Sequence, residues 1–140
     1  MVAERQVLEI GIKKLRRYIR RLEAASQSRG DAAWEGEIPE PIEYTFRRLV
    51  VLSTNLANHL VARWRLPTPD DPRDVFAVLA DADLLPIALA ERLRDVAVLR
   101  ASLAHGYGGI SAETVRAWVP ARLGDFAAFA DAMAIVLLEE

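Results

Sequence analysis

Three residues near the end of one predicted helix have side chains suited to chemistry on a phosphate: Arg100, His105 and Tyr107. A guanidinium can stabilise negative charge that develops in a transition state, and an imidazole can accept and donate protons near neutral pH. The glycine-rich segment 106–109 should end the helix, which places His105 in its last turn. The exposed carbonyls at a helix end favour the imidazolium, so we expect a raised pKa for His105.

Arg100 also interrupts an apolar stripe. Leu89, Leu93 and Val96 follow one another at helical spacings of four and three, and the next positions of the stripe are residues 100 and 103. Residue 103 is the expected Leu, but a guanidinium at residue 100 needs partners wherever the stripe is buried. We therefore predict a homodimer that brings together two copies of this helix end.

The order Arg-x-x-x-x-His-x-Tyr, formed here by Arg100, His105 and Tyr107, resembles the signature of HEPN-domain proteins and, among them, the HepT-like toxins. Further segments of the chain resemble that family, namely Asn58-His59-Leu60, residues 76–79, Leu84-Leu85-Pro86 and the glycine-rich exit to Ser111. One position departs from the pattern, because HepT-like proteins commonly have Asn directly after the Arg and this chain has Ala101.

The resemblance implies a metal-independent endoribonuclease toxin with RNA as its substrate and with Arg100 and His105 as catalytic residues. It also implies a homodimer in which two motifs face one cleft. The expected partner is a minimal nucleotidyltransferase antitoxin that adenylylates the tyrosine of the motif, here Tyr107. Three alternatives stay open: a non-catalytic module that binds or scaffolds a nucleotidyltransferase, an Arg100 that is simply paired in an interface, and a Tyr107 buried in the core.

Length and composition limit the other possibilities. The 140 residues predict a single domain, residues 1–140, with one core. The chain has no cysteine and two isolated histidines, so we expect neither disulfides nor a metal site, and no cofactor motif is present. The net charge of −2 means that RNA binding would need a local basic patch. No apolar run reaches a membrane span and no signal peptide is recognisable, so we expect a soluble, cytoplasmic protein.

The periodicity predicts an all-α, up-and-down bundle of about five helices. The predicted helices cover residues 3–26 and 42–64, a short helix from the N-cap Asp71 to residue 80, a helix opened by Pro86, and a last helix capped by Ser111. The first two should pack antiparallel. Pro120 is expected to kink or divide the last helix.

The first helix has an apolar stripe that should face the core, formed by Leu8, Ile12, Leu15, Ile19 and Leu22. A separate basic band could contact phosphates or an acidic partner, or could simply be a solvated face; it consists of Lys13, Arg16, Arg17, Arg20 and Arg21.

The second helix has more polar residues than a core helix needs, and they could line the same cleft as Arg100: Ser53, Asn55, Asn58 and His59. His59 is a candidate catalytic residue, although a structural role is the more common one for such a histidine.

Two further pairings are conceivable on the helix of Arg100. Ser102 and His105 are spaced for a nucleophile and its base, but no third member is evident. Asp95 could brace the guanidinium of Arg100, or it could be a surface carboxylate.

Overall fold

The computed structural model describes residues 2–29, 38–104 and 110–139. They form five α-helices, which are α1 (Val2–Arg29), α2 (Glu40–Arg63), α3 (Val75–Asp81), α4 (Ile87–Ala104) and α5 (Ala112–Leu138), with a 3₁₀ turn at Pro72–Asp74 before α3. This part of the chain contains no β-strand. The predicted all-α bundle of about five helices is confirmed.

The first two helices pack antiparallel, as predicted. Arg63, at the end of α2, lies 3.6 Å from Glu4 at the start of α1. Arg48, early in α2, donates a hydrogen bond of 3.4 Å to the hydroxyl of Tyr18, late in α1. The start of α1 therefore lies beside the end of α2. Helix α2 also packs against α4.

The core is built from the apolar stripes. All five predicted core residues of α1 are buried, with at most 6% of each side chain exposed. Phe46 of α2 contacts Phe126 of α5 edge to face at 6.5 Å between ring centroids, and Phe76 of α3 contacts Phe129 in the same way at 5.3 Å. These aromatic pairs join α2, α3 and α5 and contribute contact energy beyond their buried area.

The basic band of α1 is exposed over its whole length. Arg16 forms an ion pair of 2.9 Å with Asp131 of α5, and the guanidinium of Arg17 lies over the ring of Tyr18. The basic band is therefore a solvated face of α1, and at Arg16 it reaches α5.

The predicted helix starts at Asp71 and Ser111 are confirmed. The Asp71 carboxylate accepts a hydrogen bond of 3.0 Å from the backbone N–H of Arg73, and the Ser111 hydroxyl accepts one of 3.2 Å from that of Thr114. The side-chain and backbone hydrogen bonds from Arg73 lower the pKa of Asp71 to about 2. The first turn after Asp71 is 3₁₀, and α3 proper follows it.

Pro120 does not divide the last helix, so that part of the prediction is wrong. α5 runs without a break from Ala112 to Leu138. Proline removes one backbone hydrogen bond, but Pro120 itself is exposed while its neighbour Val119 and the nearby Val115 and Leu123 are buried. Core packing on both sides of Pro120 holds the helical conformation.

Gly11 lets α1 and α2 approach closely. A Cβ atom on Gly11 would collide with the side chain of Leu56, which is 2% exposed. Gly11→Ala is expected to lower the free energy of unfolding by about 1 kcal/mol, because overpacking of about 1–3 kcal/mol exceeds the gain in helix propensity. Gly124 of α5 is exposed, and a Cβ atom there meets nothing within 4 Å. Gly124→Ala should therefore raise the free energy of unfolding by about 0.5–1 kcal/mol.

Chemical denaturation followed by circular dichroism measures the free energy of unfolding of both variants. Effects of the same sign at Gly11 and Gly124 would contradict the close approach of α1 and α2.

Candidate functional site

Helix α4 brings Arg100 to the edge of the core. Leu89, Leu93 and Val96 are buried as predicted, and Leu103 is partly buried against the core. Arg100 is half-buried, at the point where the stripe would place an apolar residue. Its side chain lies at a cleft between α4 and α2.

The cleft has a volume of about 320 Å³ and three walls. Helix α2 forms the first, helix α4 the second, and the 3₁₀ turn before α3 the third. Its lining residues are Thr54, Asn55, Asn58, Pro72, Ala97, Arg100 and Ala101. A guanidinium, two carboxamides and a hydroxyl-bearing side chain thus share one small space with apolar walls.

Hydrogen bonds within α2 hold part of this polar wall. The Thr54 hydroxyl donates to the carbonyl of Val51 at 3.0 Å, and Nδ2 of Asn58 donates to the carbonyl of Thr54 at 3.0 Å. The Asn58 carboxamide is therefore anchored to its own helix on the same side of the cleft as Asn55. An anchored amide of this kind can hold a ribose or phosphate oxygen of a ligand without a large cost in side-chain entropy.

The charge of Arg100 is not neutralised within the described ranges. On the same helix, Arg92 pairs with Asp125 at 2.8 Å and Arg94 pairs with Asp74 at 3.1 Å. No ion pair or hydrogen bond joins the Arg100 guanidinium to residues 2–29, 38–104 or 110–139. Its cation is available to an anion that enters the cleft, and phosphate is the anion that arginine binds most readily.

The other predicted site residues have different outcomes. His105, Tyr107 and the glycines around Tyr107 lie outside the described residues, so their roles stay predictions. Ser102 is exposed and donates to the carbonyl of Leu99 at 2.9 Å. Asp95 pairs with Arg122 of α5 at 2.8 Å and is half exposed. Asp95 is therefore a surface carboxylate, and the idea that it braces Arg100 is wrong.

The polar residues of α2 divide into two groups. Asn55 and Asn58 line the cleft with Arg100, as predicted. Ser53 does not, because it is fully buried and its hydroxyl donates to the carbonyl of Leu49 at 2.8 Å. His59 is exposed and is not among the described residues that line the cleft.

The contribution of Pro72 to the cleft was not predicted from the sequence. Its position in the cleft depends on how the connection between α2 and α3 folds back onto α4. No local pattern of the sequence indicates that return. The N-cap Asp71 before a proline predicts where the turn starts. It does not predict which helices the turn contacts.

Two further features of the described chain bear on alternative classes of protein. In the described part of the chain, no three or more His, Asp or Glu side chains are grouped so that they could hold a metal ion. Among the helices described, none combines the length and the apolar character that crossing a membrane requires.

Comparison with known proteins identifies the family. The family described as Ribonuclease HepT-like matches residues 14–133, a range that includes the whole cleft and the Arg100 motif. The chain belongs to the Ribonuclease HepT-like family. The resemblance that Arg100, His105 and Tyr107 indicated is confirmed at the level of the family.

A curated relative of this HepT-like chain is the mRNA nuclease HepT of Shewanella oneidensis. The two are 24% identical over 120 residues, which cover 86% of this chain and 90% of the relative. The relative's name supports a ribonuclease family.

Solved structures share the HepT-like fold. A tri-AMPylated Shewanella oneidensis HEPN toxin in complex with MNT antitoxin matches with a TM-score of 0.74 and 22% identity over 92% of this chain and 97% of that one. YutE, a cytosolic protein of unknown function from Bacillus subtilis, matches with a TM-score of 0.80 and 14% identity over 96% and 91%. At these identities the likeness concerns the fold.

Proposed function

We propose that this chain is a metal-independent endoribonuclease toxin of a toxin–antitoxin pair. The observation that carries the proposal is the half-buried Arg100, which lies without an ion pair to any described residue in a cleft beside Asn55 and the anchored carboxamide of Asn58. The name of the curated relative, an mRNA nuclease, supports RNA as the substrate class.

The cleft and the motif supply the parts that cleavage beside a ribose 2′-hydroxyl needs. The 2′-oxygen loses a proton and attacks phosphorus, and the bond from phosphorus to the 5′-oxygen breaks as that oxygen gains a proton. Arg100 stabilises the charge on the pentacoordinate phosphorus. His105 performs the proton transfers. Since one histidine cannot easily serve both oxygens at once, two copies of the motif act on one substrate.

The proposed partner is a minimal nucleotidyltransferase antitoxin that adenylylates Tyr107. A solved relative of similar fold is a tri-AMPylated HEPN toxin in complex with MNT antitoxin, and another is a toxin–antitoxin structure with AMP-PNP. These two relatives support both the class of partner and the chemistry of neutralisation.

Ribonuclease assays with the purified chain test the proposal directly. We expect cleavage of single-stranded RNA to persist in EDTA and to leave 2′,3′-cyclic phosphate ends, because the attacking nucleophile is the substrate's own 2′-oxygen. The matched control is an oligonucleotide of the same sequence with 2′-deoxy sugars, which should stay intact. Cleavage of the deoxy control, or loss of RNA cleavage on chelation, would contradict the mechanism.

The homodimer is a separate expectation. Two copies of the α4 end should lie together so that both Arg100 side chains reach one substrate. Light scattering at micromolar concentration should give twice the mass of the chain, and a monomer would exclude the shared site.

A non-catalytic module that binds a nucleotidyltransferase is the second candidate. Ala101 favours it, because this methyl group lines the cleft at the position where HepT-like proteins commonly have Asn. A chain that binds the antitoxin tightly but leaves all RNA intact would support this alternative.

A further inference from the structure

A second cavity lies beside the Arg100 cleft, between α1 and α2. It has a volume of about 340 Å³, and its polar lining consists of Lys14, Tyr18, Arg47, Arg48 and Asn55. Asn55 lines both cavities. A ligand that occupies the Arg100 cleft can therefore continue past Asn55 into the second cavity.

The two cavities follow one face of α2. Arg48, Asn55 and Asn58 are spaced by seven and three residues, which keeps them on one side of a helix. From Asn58 to Arg48 is ten residues, or about 15 Å along the helix axis. That length corresponds to about four phosphates of a stacked single strand at about 3.4 Å each.

The cations of the second cavity are available for phosphate. No carboxylate of the described residues forms an ion pair with Lys14, Arg47 or Arg48. Arg100 likewise has no ion pair among the described residues. Most arginines elsewhere in the described chain are paired, namely Arg5, Arg16, Arg63, Arg73, Arg92, Arg94 and Arg122. Arg17, Arg20, Arg21 and Arg65 also have no carboxylate partner among the described residues, but they line neither of the two cavities, whereas Lys14, Arg47 and Arg48 line the second one.

Two tyrosines complete this surface. Arg48 donates hydrogen bonds to the hydroxyls of Tyr44 at 3.2 Å and Tyr18 at 3.4 Å, and its guanidinium lies 5.6 Å from the ring centroid of Tyr44. Burial acts to raise the pKa of Tyr18, but the hydrogen bond and charge of Arg48, together with the charge of Lys14, hold it below its ordinary value. The ring of Tyr44 is exposed and can stack on an unpaired base.

The path has a defined end. Arg47 and Tyr44 also line a neighbouring cavity, where Glu40 and Glu43 at the start of α2 face the same space. The negative charge of the two glutamates opposes a further phosphate, so the positive surface ends between Arg48 and the start of α2.

We propose that Lys14, Arg47 and Arg48 form a phosphate-binding track that holds the single-stranded RNA on one side of the cleaved bond. The inference rests on the proposed ribonuclease function, which it extends by assigning residues to the binding of substrate outside the Arg100 cleft. Tyr44 stacks on a base at the far end of the track.

Binding of a fluorescein-labelled 12-nucleotide RNA tests the track. The full-length His105→Ala protein serves as background, so that the RNA stays intact. Arg47→Ala with Arg48→Ala should weaken binding about tenfold or more at 0.1 M salt, and should reduce the slope of log Kd against log salt by about 1.4, or 0.7 for each lost phosphate contact. Arg48→Lys should retain most of the affinity, because it keeps the charge.

The matched control removes two arginines outside the track, Arg16 and Arg92, which pair with Asp131 and Asp125. This double alanine variant has the same net charge and should bind the RNA nearly as tightly as the background protein. Equal weakening by both double variants would overturn the track in favour of diffuse charge. Unchanged RNA affinity, with lost binding of the antitoxin, would overturn it in favour of a protein-binding surface.

The outcomes separate the track from the proposed function. If the wild-type chain leaves RNA intact while its RNA affinity depends on Arg47 and Arg48, the nuclease proposal fails and the track is supported. If the wild-type chain cleaves RNA while KM and Kd are the same in the Arg47→Ala/Arg48→Ala variant, the nuclease proposal is supported and the track is overturned. Circular dichroism, together with the charge-retaining Arg48→Lys variant, separates lost binding from lost folding.

Discussion

Replacing Arg100 with alanine is expected to lower the rate of RNA cleavage by at least about 100-fold, the usual loss when one group that stabilises transition-state charge is removed. The expectation follows from the position of the guanidinium, half-buried in the cleft without an ion pair to the described residues. Such a cation is already partly freed from water and needs little rearrangement as charge develops on phosphorus. His105→Ala should cause a loss of about 100-fold to 10,000-fold, because it removes the group that transfers protons.

Arg94 provides the matched control for this experiment. It lies on the same helix as Arg100, but its guanidinium pairs with Asp74 at 3.1 Å. Arg94→Ala should therefore leave cleavage within a few-fold of wild type, while Arg100→Lys should recover only part of the activity because lysine lacks the planar fork. Circular dichroism should show the same helix content in all variants. Cleavage that is equal in Arg100→Ala and Arg94→Ala would exclude the electrostatic role.

Co-expression with the proposed nucleotidyltransferase partner is expected to abolish the toxicity of this chain through covalent addition of AMP that begins at Tyr107. The phenolic oxygen attacks the α-phosphorus of ATP, pyrophosphate leaves, and the added AMP carries a negative phosphate close to Arg100 and His105 in the motif. That phosphate competes with the substrate for the guanidinium. The nucleoside also obstructs the cleft, so cleavage should fall to background while the fold persists.

Intact-mass and peptide mass spectrometry check this prediction. One or more AMP-sized additions should appear on the co-expressed chain, with the first at Tyr107. Tyr107→Phe is the matched control, since it removes only the oxygen that accepts AMP. Neutralisation that is unchanged in Tyr107→Phe, with no addition on the wild-type chain, would show that the partner acts by covering the cleft instead.

The location of Arg100 could be predicted because it depends on a local rule. Leu89, Leu93 and Val96 define an apolar stripe along one face of a helix. Arg100 occupies the next position of that stripe, where a charged side chain does not suit a core. The starts of the 3₁₀ turn before α3 and of α5 were predictable for the same reason, since Asp71 and Ser111 cap backbone groups only two and three residues away. The expected division at Pro120 does not occur, because burial of Val119 and Leu123 outweighs the local preference of proline to end a helix.

The sequence by itself determined the helices, their buried faces and the residue that fits no buried face, because each follows from neighbours within two turns. Only the tertiary structure decided which charges are neutralised. Arg16 pairs with Asp131 across 115 residues, and Asp95 pairs with Arg122 and leaves Arg100 without it. These pairings depend on how α1, α4 and α5 pack. The same packing leaves Lys14, Arg47 and Arg48 without carboxylate partners in the described chain and places them next to the Arg100 cleft.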